Sequence, residues 1–250
     1  MVQKTWEVVL LDKMINASSK IFTLRDGGGL YKETNLNHFI VEPINALTAF
    51  IFVFIAVYWI YKLLKSNNKG RIFYLTLSII LLFGGIGGTI YHAFRYHKFF
   101  LYLDWVPIVL VSFAVSLYLF FISTKSIWYG FVFCMGAFMA QYALFTITKY
   151  FPEQFPVTIM INMSYVFLAL TILVPLFMFL RLNNFYNLRI VVWSLAFFVF
   201  ALIFRWLDSK VPLSIGTHFL WHIFGALSCH LMFSFLYKTN QSVRNTVKYP

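Results

Sequence analysis

The sequence predicts an all-α integral membrane protein, a bundle of seven transmembrane helices. Of its 250 residues, 61% are hydrophobic and only 11% are charged. A soluble domain usually carries about 25% charged residues. The apolar residues also gather in runs of roughly 17–25 residues, the length that a helix needs to cross a bilayer. Both observations place the chain in a membrane.

Seven apolar runs are long enough to span the bilayer, and polar connections separate them. We predict spans at Ile44 to Leu64, Ile72 to Ile90, Leu101 to Ile122, Ile127 to Phe145, Val157 to Leu180, Ile190 to Leu207 and Gly216 to Tyr237. They form one domain at 44–237, between a polar N-terminal segment at 1–43 and a basic C-terminal tail at 238–250. The N-terminal segment lacks a long apolar run, so we expect no cleaved signal peptide.

The net charge of +12 does not indicate nucleic-acid binding. The 20 Lys and Arg residues are spread over the tails, the connections and the span ends, where cations contact lipid headgroups. We therefore predict the lipid bilayer as a partner and no nucleic acid. Lys and Arg near the span ends favour the side of the C-terminus by ten to seven. This bias predicts an outside N-terminus and a cytoplasmic C-terminus.

Three histidines near span ends form a candidate metal site. His218 and His222 are four residues apart in the last span, so a helix places both imidazoles on one face. A catalytic zinc site usually has a third protein ligand and one open position for water. His92, at the end of the second span, is the best candidate for that ligand, and Asp104 follows twelve residues later. Ionisable residues inside a membrane indicate function by default.

The number of spans supports this site. With seven spans, the start of the first, the end of the second and the starts of the third and seventh lie at the same membrane face. These places carry Glu42, His92, Asp104 and the pair His218 and His222. One span more or fewer between the histidines would separate them by the bilayer thickness, about 30 Å. We therefore predict that His92, His218 and His222 meet and bind zinc.

Each of these residues also has a structural interpretation. An intramembrane histidine is often a hydrogen-bonded core side chain, and we favour this interpretation for His230. Asp104 precedes Pro107 and could cap a helix start, close the metal site as a fourth ligand, or accept a proton as general base. Glu42 could be a favourable charge at the start of a helix.

In this order, the residues resemble the alkaline ceramidases and the wider superfamily of seven-span membrane hydrolases, which includes progestin and adipoQ receptors and haemolysin III-type proteins. That family has a His at the end of the second span, an Asp at the third and H-x-x-x-H at the seventh. His92, Asp104, His218 and His222 match these positions. The tracts VEPINALTAF, KETNLNHFIVEP, FRWLD and THFLWHIFG resemble the ceramidase branch, and the likeness covers roughly residues 31 to 237.

The resemblance implies further site residues. Glu33 and Glu42 fill two acidic positions that it implies as calcium ligands. Two positions depart from the family pattern: Lys32 stands where Cys is frequent, and Gly88 stands where a Ser is thought to stabilise the oxyanion. Thr89 is the adjacent hydroxyl, and we predict that it helps to stabilise the oxyanion.

These observations predict a zinc-dependent intramembrane amide hydrolase that cleaves the N-acyl bond of ceramide-like sphingolipids. The predicted cofactor is Zn²⁺ at His92, His218 and His222, with Ca²⁺ as a second ion and Asp104 as the residue that orients or deprotonates water. Two alternatives stay open. One is a receptor-like or regulatory seven-span protein with a structural zinc, and the other is a hydrolase of another acyl lipid, such as an acyl ester.

Overall fold

The computed structural model describes residues 26–67, 70–150 and 157–246, and this part of the chain is helical without strands. Eight helices follow one another: α1 (Pro43–Ala49), α2 (Ile51–Leu64), α3 (Arg71–Phe94), α4 (Lys98–Thr124), α5 (Ile127–Tyr150), α6 (Val157–Leu182), α7 (Leu188–Leu207) and α8 (His218–Thr246). The first two are separated only at Phe50 and together form one apolar span, Pro43–Leu64. Seven spans result, which confirms the predicted seven-helix membrane bundle.

The structure overturns one sequence-based interpretation at the start of α4. This helix begins at Lys98 rather than near Asp104, and its N-cap is His97, whose Nδ1 accepts a hydrogen bond from the Phe99 N–H at 3.1 Å. The helix-cap interpretation of Asp104 is therefore wrong. Pro107 lies inside α4 instead of in its first turn. Because Asp104 does not cap the helix, its side chain is available to face a neighbouring helix.

The apolar core lies at the end of the bundle opposite the histidines. It is built from the C-terminal halves of α2, α4, α6 and α8 and the N-terminal parts of α3 and α7. Its largest fully buried members are Trp59, Tyr74, Leu63, Leu77, Leu119, Leu176, Phe235 and Val191. These side chains pack against one another between the helices at that end. The other end of the bundle is left for polar residues.

Residues 26–42 fold over that polar end. The Val41 N–H donates to the Ala93 carbonyl at 2.8 Å, and the Glu42 N–H donates to the His92 carbonyl at 3.1 Å. The Lys32 N–H donates to the Asp208 carboxylate at 3.0 Å. The described part of the N-terminal segment is thus attached to the end of α3 and to the residue that follows α7.

Helix α3 approaches its neighbours closely through glycines. A Cβ added to Gly85 would lie 2.8 Å from the Val53 backbone nitrogen and 3.1 Å from the Phe52 carbonyl carbon in α2. Backbone atoms cannot move aside as a flexible side chain can. Small residues at such contacts let membrane helices pack backbone to backbone.

We expect Gly85→Ala to lower the melting temperature of the purified protein in detergent. The added methyl group forces α2 and α3 apart, and overpacking of this kind costs about 1–3 kcal/mol. The matched control is Gly136→Ala in α5, where no atom lies within 4 Å of the added Cβ. The control should be neutral or slightly stabilising, since Ala is a better helix former than Gly. Equal melting temperatures for the two variants would contradict the close packing.

Candidate metal centre

Three buried imidazoles meet at the polar end of the bundle. His92 lies in the last turn of α3, while His218 and His222 lie in the first two turns of α8. At most 3% of each side chain is exposed. One nitrogen from each ring lies within 4.8 Å of the other two, and within the described residues this is the only such group of three His, Cys, Asp or Glu side chains. The predicted convergence of the three histidines is confirmed.

The spacing is suitable for one metal ion after small side-chain rotations. Zinc–nitrogen bonds of about 2.0–2.1 Å in a tetrahedron place ligand nitrogens roughly 3.4 Å apart. The ring centroids are separated by 5.2 Å for His92 and His218, and by 4.8 Å for each of the other two pairs. The three rings therefore surround a common point.

The hydrogen bonds of His92 leave one nitrogen available. Its Nδ1–H donates to Glu42 Oε2 at 2.6 Å, and its Nε2 is buried without a hydrogen-bond partner. A buried nitrogen without a partner is unfavourable, and a metal ion would satisfy it. A carboxylate behind a histidine is also the usual way to orient a metal ligand and raise its basicity.

His222 is oriented from α1. The Thr48 hydroxyl donates to the Ile44 carbonyl at 2.8 Å, so its oxygen can accept from His222 Nδ1–H at 3.0 Å. This pairing assigns the hydrogen to Nδ1 and leaves the lone pair on Nε2. Thr48 thus supports His222 as Glu42 supports His92.

His218 is fixed through its backbone and its ring. The Asp208 Oδ1 atom accepts from the N–H groups of Thr217 at 2.7 Å and His218 at 2.8 Å, which caps α8. The Tyr31 ring stacks on the His218 ring with centroids 3.8 Å apart. The His218 Nδ1 atom is buried without a partner, like His92 Nε2. Gly216 has a φ of +65°, and a Cβ there would collide with the Asp208 carboxylate.

A buried ion-pair network supports Glu42. The second Glu42 oxygen accepts from Arg95 Nη1 at 2.5 Å and from the Thr34 hydroxyl at 2.6 Å. Arg95 Nε also donates to Asp26 at 2.7 Å. Burial disfavours the ionised form of Glu42, but the hydrogen bond to His92 and the charge of Arg95 outweigh it and hold the pKa of this carboxyl below its ordinary value. Glu42 is therefore an anion at neutral pH.

Glu33 caps a helix, whereas Glu42 contacts a histidine. The two oxygens of Glu33 accept from the backbone N–H groups of Ile44 at 2.6 Å and Asn45 at 2.9 Å, so it caps α1 from eleven residues away. Burial raises the pKa of the Glu33 carboxyl, which these two hydrogen bonds counteract. Glu33 and Glu42 thus bind protein donors with all four carboxylate oxygens. Calcium binding at these two residues stays a prediction.

Asp104 faces α3 and a cavity inside the bundle. A Cβ added to Gly88 would lie 2.5 Å from Asp104 Oδ1, so the carboxylate occupies space that a side chain at position 88 would need. Asp104 and His222 both line the cavity, which is otherwise mostly apolar. The Thr89 hydroxyl donates to the Gly85 carbonyl of its own helix at 2.7 Å. The structure thus places Asp104 at the cavity and gives the Thr89 hydroxyl a partner elsewhere.

Sequence reasoning missed the residues that hold the histidines in place. They are Tyr31, Arg95, Asp26 and Asp208. Arg95 lies near a span end, where a cation usually contacts lipid headgroups, so its position in the sequence does not indicate a site residue. The local sequence around Tyr31 and Asp26 does not indicate their role, because their partners are far away in the chain.

The fold and the site define a multi-pass membrane protein with a buried candidate metal centre made of three histidines. No protein-family model and no curated protein matches the chain.

We expect His218→Ala and His222→Ala each to abolish zinc binding, because two histidines cannot complete the site. His230→Ala is the matched control on the same helix. Its ring packs between Tyr58 and Trp59, with centroids 5.6 and 5.7 Å away, outside the three-histidine group. Metal content is measured by inorganic mass spectrometry after purification in detergent. Full zinc retention in either of the first two variants would show that the site is wrongly assigned.

We expect Glu42→Gln to lower both the melting temperature and the affinity for zinc. Loss of the carboxylate charge weakens the hydrogen bonds from Arg95 and Thr34, and a hydrogen bond to a charged group contributes about 1.5–3 kcal/mol. It also removes the carboxylate that orients His92, a change that typically lowers metal affinity about 10–100-fold. Glu33→Gln is the control, because it removes a charge that caps α1 and contacts no histidine. It should change stability alone. The two changes are followed by thermal unfolding and by zinc competition with a chelator.

Proposed function

We propose that this protein is a zinc-dependent membrane hydrolase that cleaves the N-acyl amide bond of ceramide-like lipids. The observation that carries the proposal is a buried group of three histidines, with unpartnered nitrogens on two of them, beside a cavity that also contains a carboxylate. Three neutral imidazoles are a common ligand set for hydrolytic zinc and leave one position open. The resemblance to the alkaline ceramidases favours an amide as the bond that is broken.

The shape of the cavity supports a lipid substrate. Its lining extends along α8 from His222 to Leu236, a distance of about 21 Å at 1.5 Å per residue. One leaflet of the hydrocarbon core is about 15 Å thick, half of about 30 Å. The cavity is therefore long enough for an extended acyl chain whose polar end lies at the histidines. Its lining is mostly apolar, and Leu is the most frequent lining residue, which favours a hydrocarbon.

The chemistry needs an activated water and a proton carrier. A bound zinc ion supplies Lewis acidity, which lowers the pKa of water to about 7. Asp104 accepts the proton of the attacking water, whose oxygen forms a bond to the acyl carbon. The carbon–nitrogen bond then breaks, its electron pair passes to nitrogen, and the proton held by Asp104 is transferred to the leaving amine. Fatty acid and sphingoid base are the products.

One observation favours a different function. The Ser that family hydrolases use is Gly88 here, and the adjacent Thr89 hydroxyl already donates to a carbonyl. Loss of one oxyanion donor can cost ~10²–10³ in rate. A receptor-like or regulatory protein, in which zinc only braces the helices, is the alternative proposal.

The test of the function is direct. Purified protein in detergent is incubated with N-acyl sphingosine and with an acyl-ester lipid, and released fatty acid is measured with and without a zinc chelator. Zinc-dependent release from the amide supports the proposal, and release from the ester alone assigns another acyl lipid. Absence of release from both, with zinc bound, supports the receptor-like alternative.

We also propose an orientation with the N-terminus and the metal centre on the outer side. The ten-to-seven excess of Lys and Arg at the opposite side supports it. The C-terminus would then lie in the cytoplasm.

We expect Asp104→Asn to lower turnover by ~10²–10⁴ while zinc stays bound, because the amide keeps the shape of the side chain but cannot accept the proton. Ser112→Ala is a control inside the same cavity, since the Ser112 hydroxyl already donates to the Ile108 carbonyl at 2.7 Å. Parallel loss of zinc and turnover would identify Asp104 as a fourth ligand. Wild-type turnover in the variant would exclude both roles.

A further inference from the structure

The charges of the bundle are separated between its two ends. The carboxylates in the described parts of the chain all lie at the end that holds the histidines: Asp26, Glu33, Glu42, Asp104 and Asp208. Cations gather at the opposite end, in or next to the last and first turns of the spans: Lys62, Lys65, Arg71, Lys125, Arg181, Arg189 and Lys238. Lys62 is half-buried and the others are exposed. This surface therefore carries a positive charge that no described carboxylate balances.

Aromatic rings of two helices hold the Lys62 ammonium group at this end. Its Nζ atom lies over three rings of α2 and α8, at centroid distances of 4.7 Å for Trp59, 4.8 Å for Tyr237 and 5.4 Å for Tyr58. It also donates to the Tyr58 hydroxyl at 3.3 Å. Aromatic rings attract a cation but do not neutralise it. The rings thus keep a positive charge in a fixed place between α2 and α8.

Lys65 adds a second ammonium group on the same helix face. It follows Lys62 by three residues, and positions three apart on a helix have Cβ atoms about 5–6 Å apart. The Lys65 Nζ atom lies 4.2 Å from the Tyr61 ring centroid and donates to the Tyr61 hydroxyl. Over residues 26–67, 70–150 and 157–246, neither lysine forms an ion pair. An ammonium group has three donors, so both lysines keep donors for an anion.

The depth of the two lysines in the membrane favours a phospholipid as the source of that anion. Lys62 lies in the last turn of α2, where the first span leaves the hydrocarbon and reaches the headgroups. Tyr and Trp side chains are frequent at this level. Toward the membrane centre, the same helix face continues with Phe54, whose side chain is 65% exposed. A phospholipid has a phosphate for the lysines and acyl chains for this apolar face.

We propose that Lys62 and Lys65 bind the phosphate group of an anionic phospholipid in the leaflet opposite the metal centre. The other cations at this end attract anionic headgroups to the surface, whereas a zwitterionic headgroup carries no net charge to attract. In the orientation proposed above, this leaflet is the cytoplasmic one, whose surface is negatively charged. The lipid site lies at the other end of the bundle from the metal centre and does not depend on hydrolysis there.

Native mass spectrometry measures the binding. The full-length zinc-loaded protein in detergent is titrated with palmitoyl-oleoyl phosphatidylglycerol or with phosphatidylcholine of the same chains. Wild-type protein should bind phosphatidylglycerol at least about fivefold more tightly, since one lysine near an anionic lipid contributes about fivefold, or ~1 kcal/mol. Equal affinities overturn the proposal without any variant. Glycerol phosphate, which lacks acyl chains, should not compete, and its competition at the same concentration would overturn the lipid as the ligand.

Four variants locate the bound phosphate. Lys62→Gln and Lys65→Gln should each lower the affinity for phosphatidylglycerol about fivefold and leave phosphatidylcholine binding unchanged, whereas Lys62→Arg should keep the preference. Because the Lys65 side chain is exposed, Lys65→Gln tests the site even where Lys62→Gln lowers stability. Lys125→Gln is the matched control, since it removes one exposed charge from the same surface, where the Lys125 ammonium donates to the Ile122 carbonyl. An equal loss in all three Gln variants would show diffuse attraction and reject the site.

Discussion

The structure of the site depends on one buried carboxylate, that of Glu42. It is fully inaccessible to solvent, and an isolated anion at such a place would be unstable. His92, Arg95 and Thr34 each donate to it. These three donors come from the last turn of α3, from the residue after that helix and from the N-terminal segment. The need to satisfy one anion therefore fixes the ring of His92 and holds residues 26–42 over the three histidines.

The bundle has an apolar end and a polar end. Large apolar side chains fill the end that holds Trp59, Leu119 and Phe235. The opposite end contains the three histidines and the ion pairs. Between them the cavity continues from Asp104 and His222 into apolar walls. This change from a polar to an apolar lining is suited to an amphipathic molecule. The polar group of such a molecule would meet the histidines, and its hydrocarbon chain would lie among the helices.

The two arginines at the polar end differ in what their charges do. Arg95 is neutralised by two carboxylates and has a structural role, because it connects Asp26 to Glu42. The Arg205 guanidinium instead lies over the rings of Tyr165 and Trp221. Aromatic faces stabilise a guanidinium without removing its charge. The two arginines thus differ in their partners, which are carboxylates for Arg95 and aromatic rings for Arg205.

The sequence determined the helices and the face on which the histidines lie. Apolar run lengths are local properties, and seven spans require by parity that His92, His218 and His222 share one membrane face. The structure confirms both results. Local patterns misplaced the start of α4, because Asp104 and Pro107 resemble a helix start and only the surrounding chain shows that the helix begins at Lys98.

Only the tertiary structure decided how the histidines are held and what faces the cavity. Glu42 meets His92 fifty residues away, Thr48 meets His222 across 174 residues, and Tyr31 stacks on His218. Neither composition nor periodicity encodes these pairs, because side chains distant in sequence meet only when whole helices pack. The close contact of Gly88 with Asp104 has the same origin. It arises where α3 and α4 approach each other, and nothing in the local sequence of either helix reports that distance.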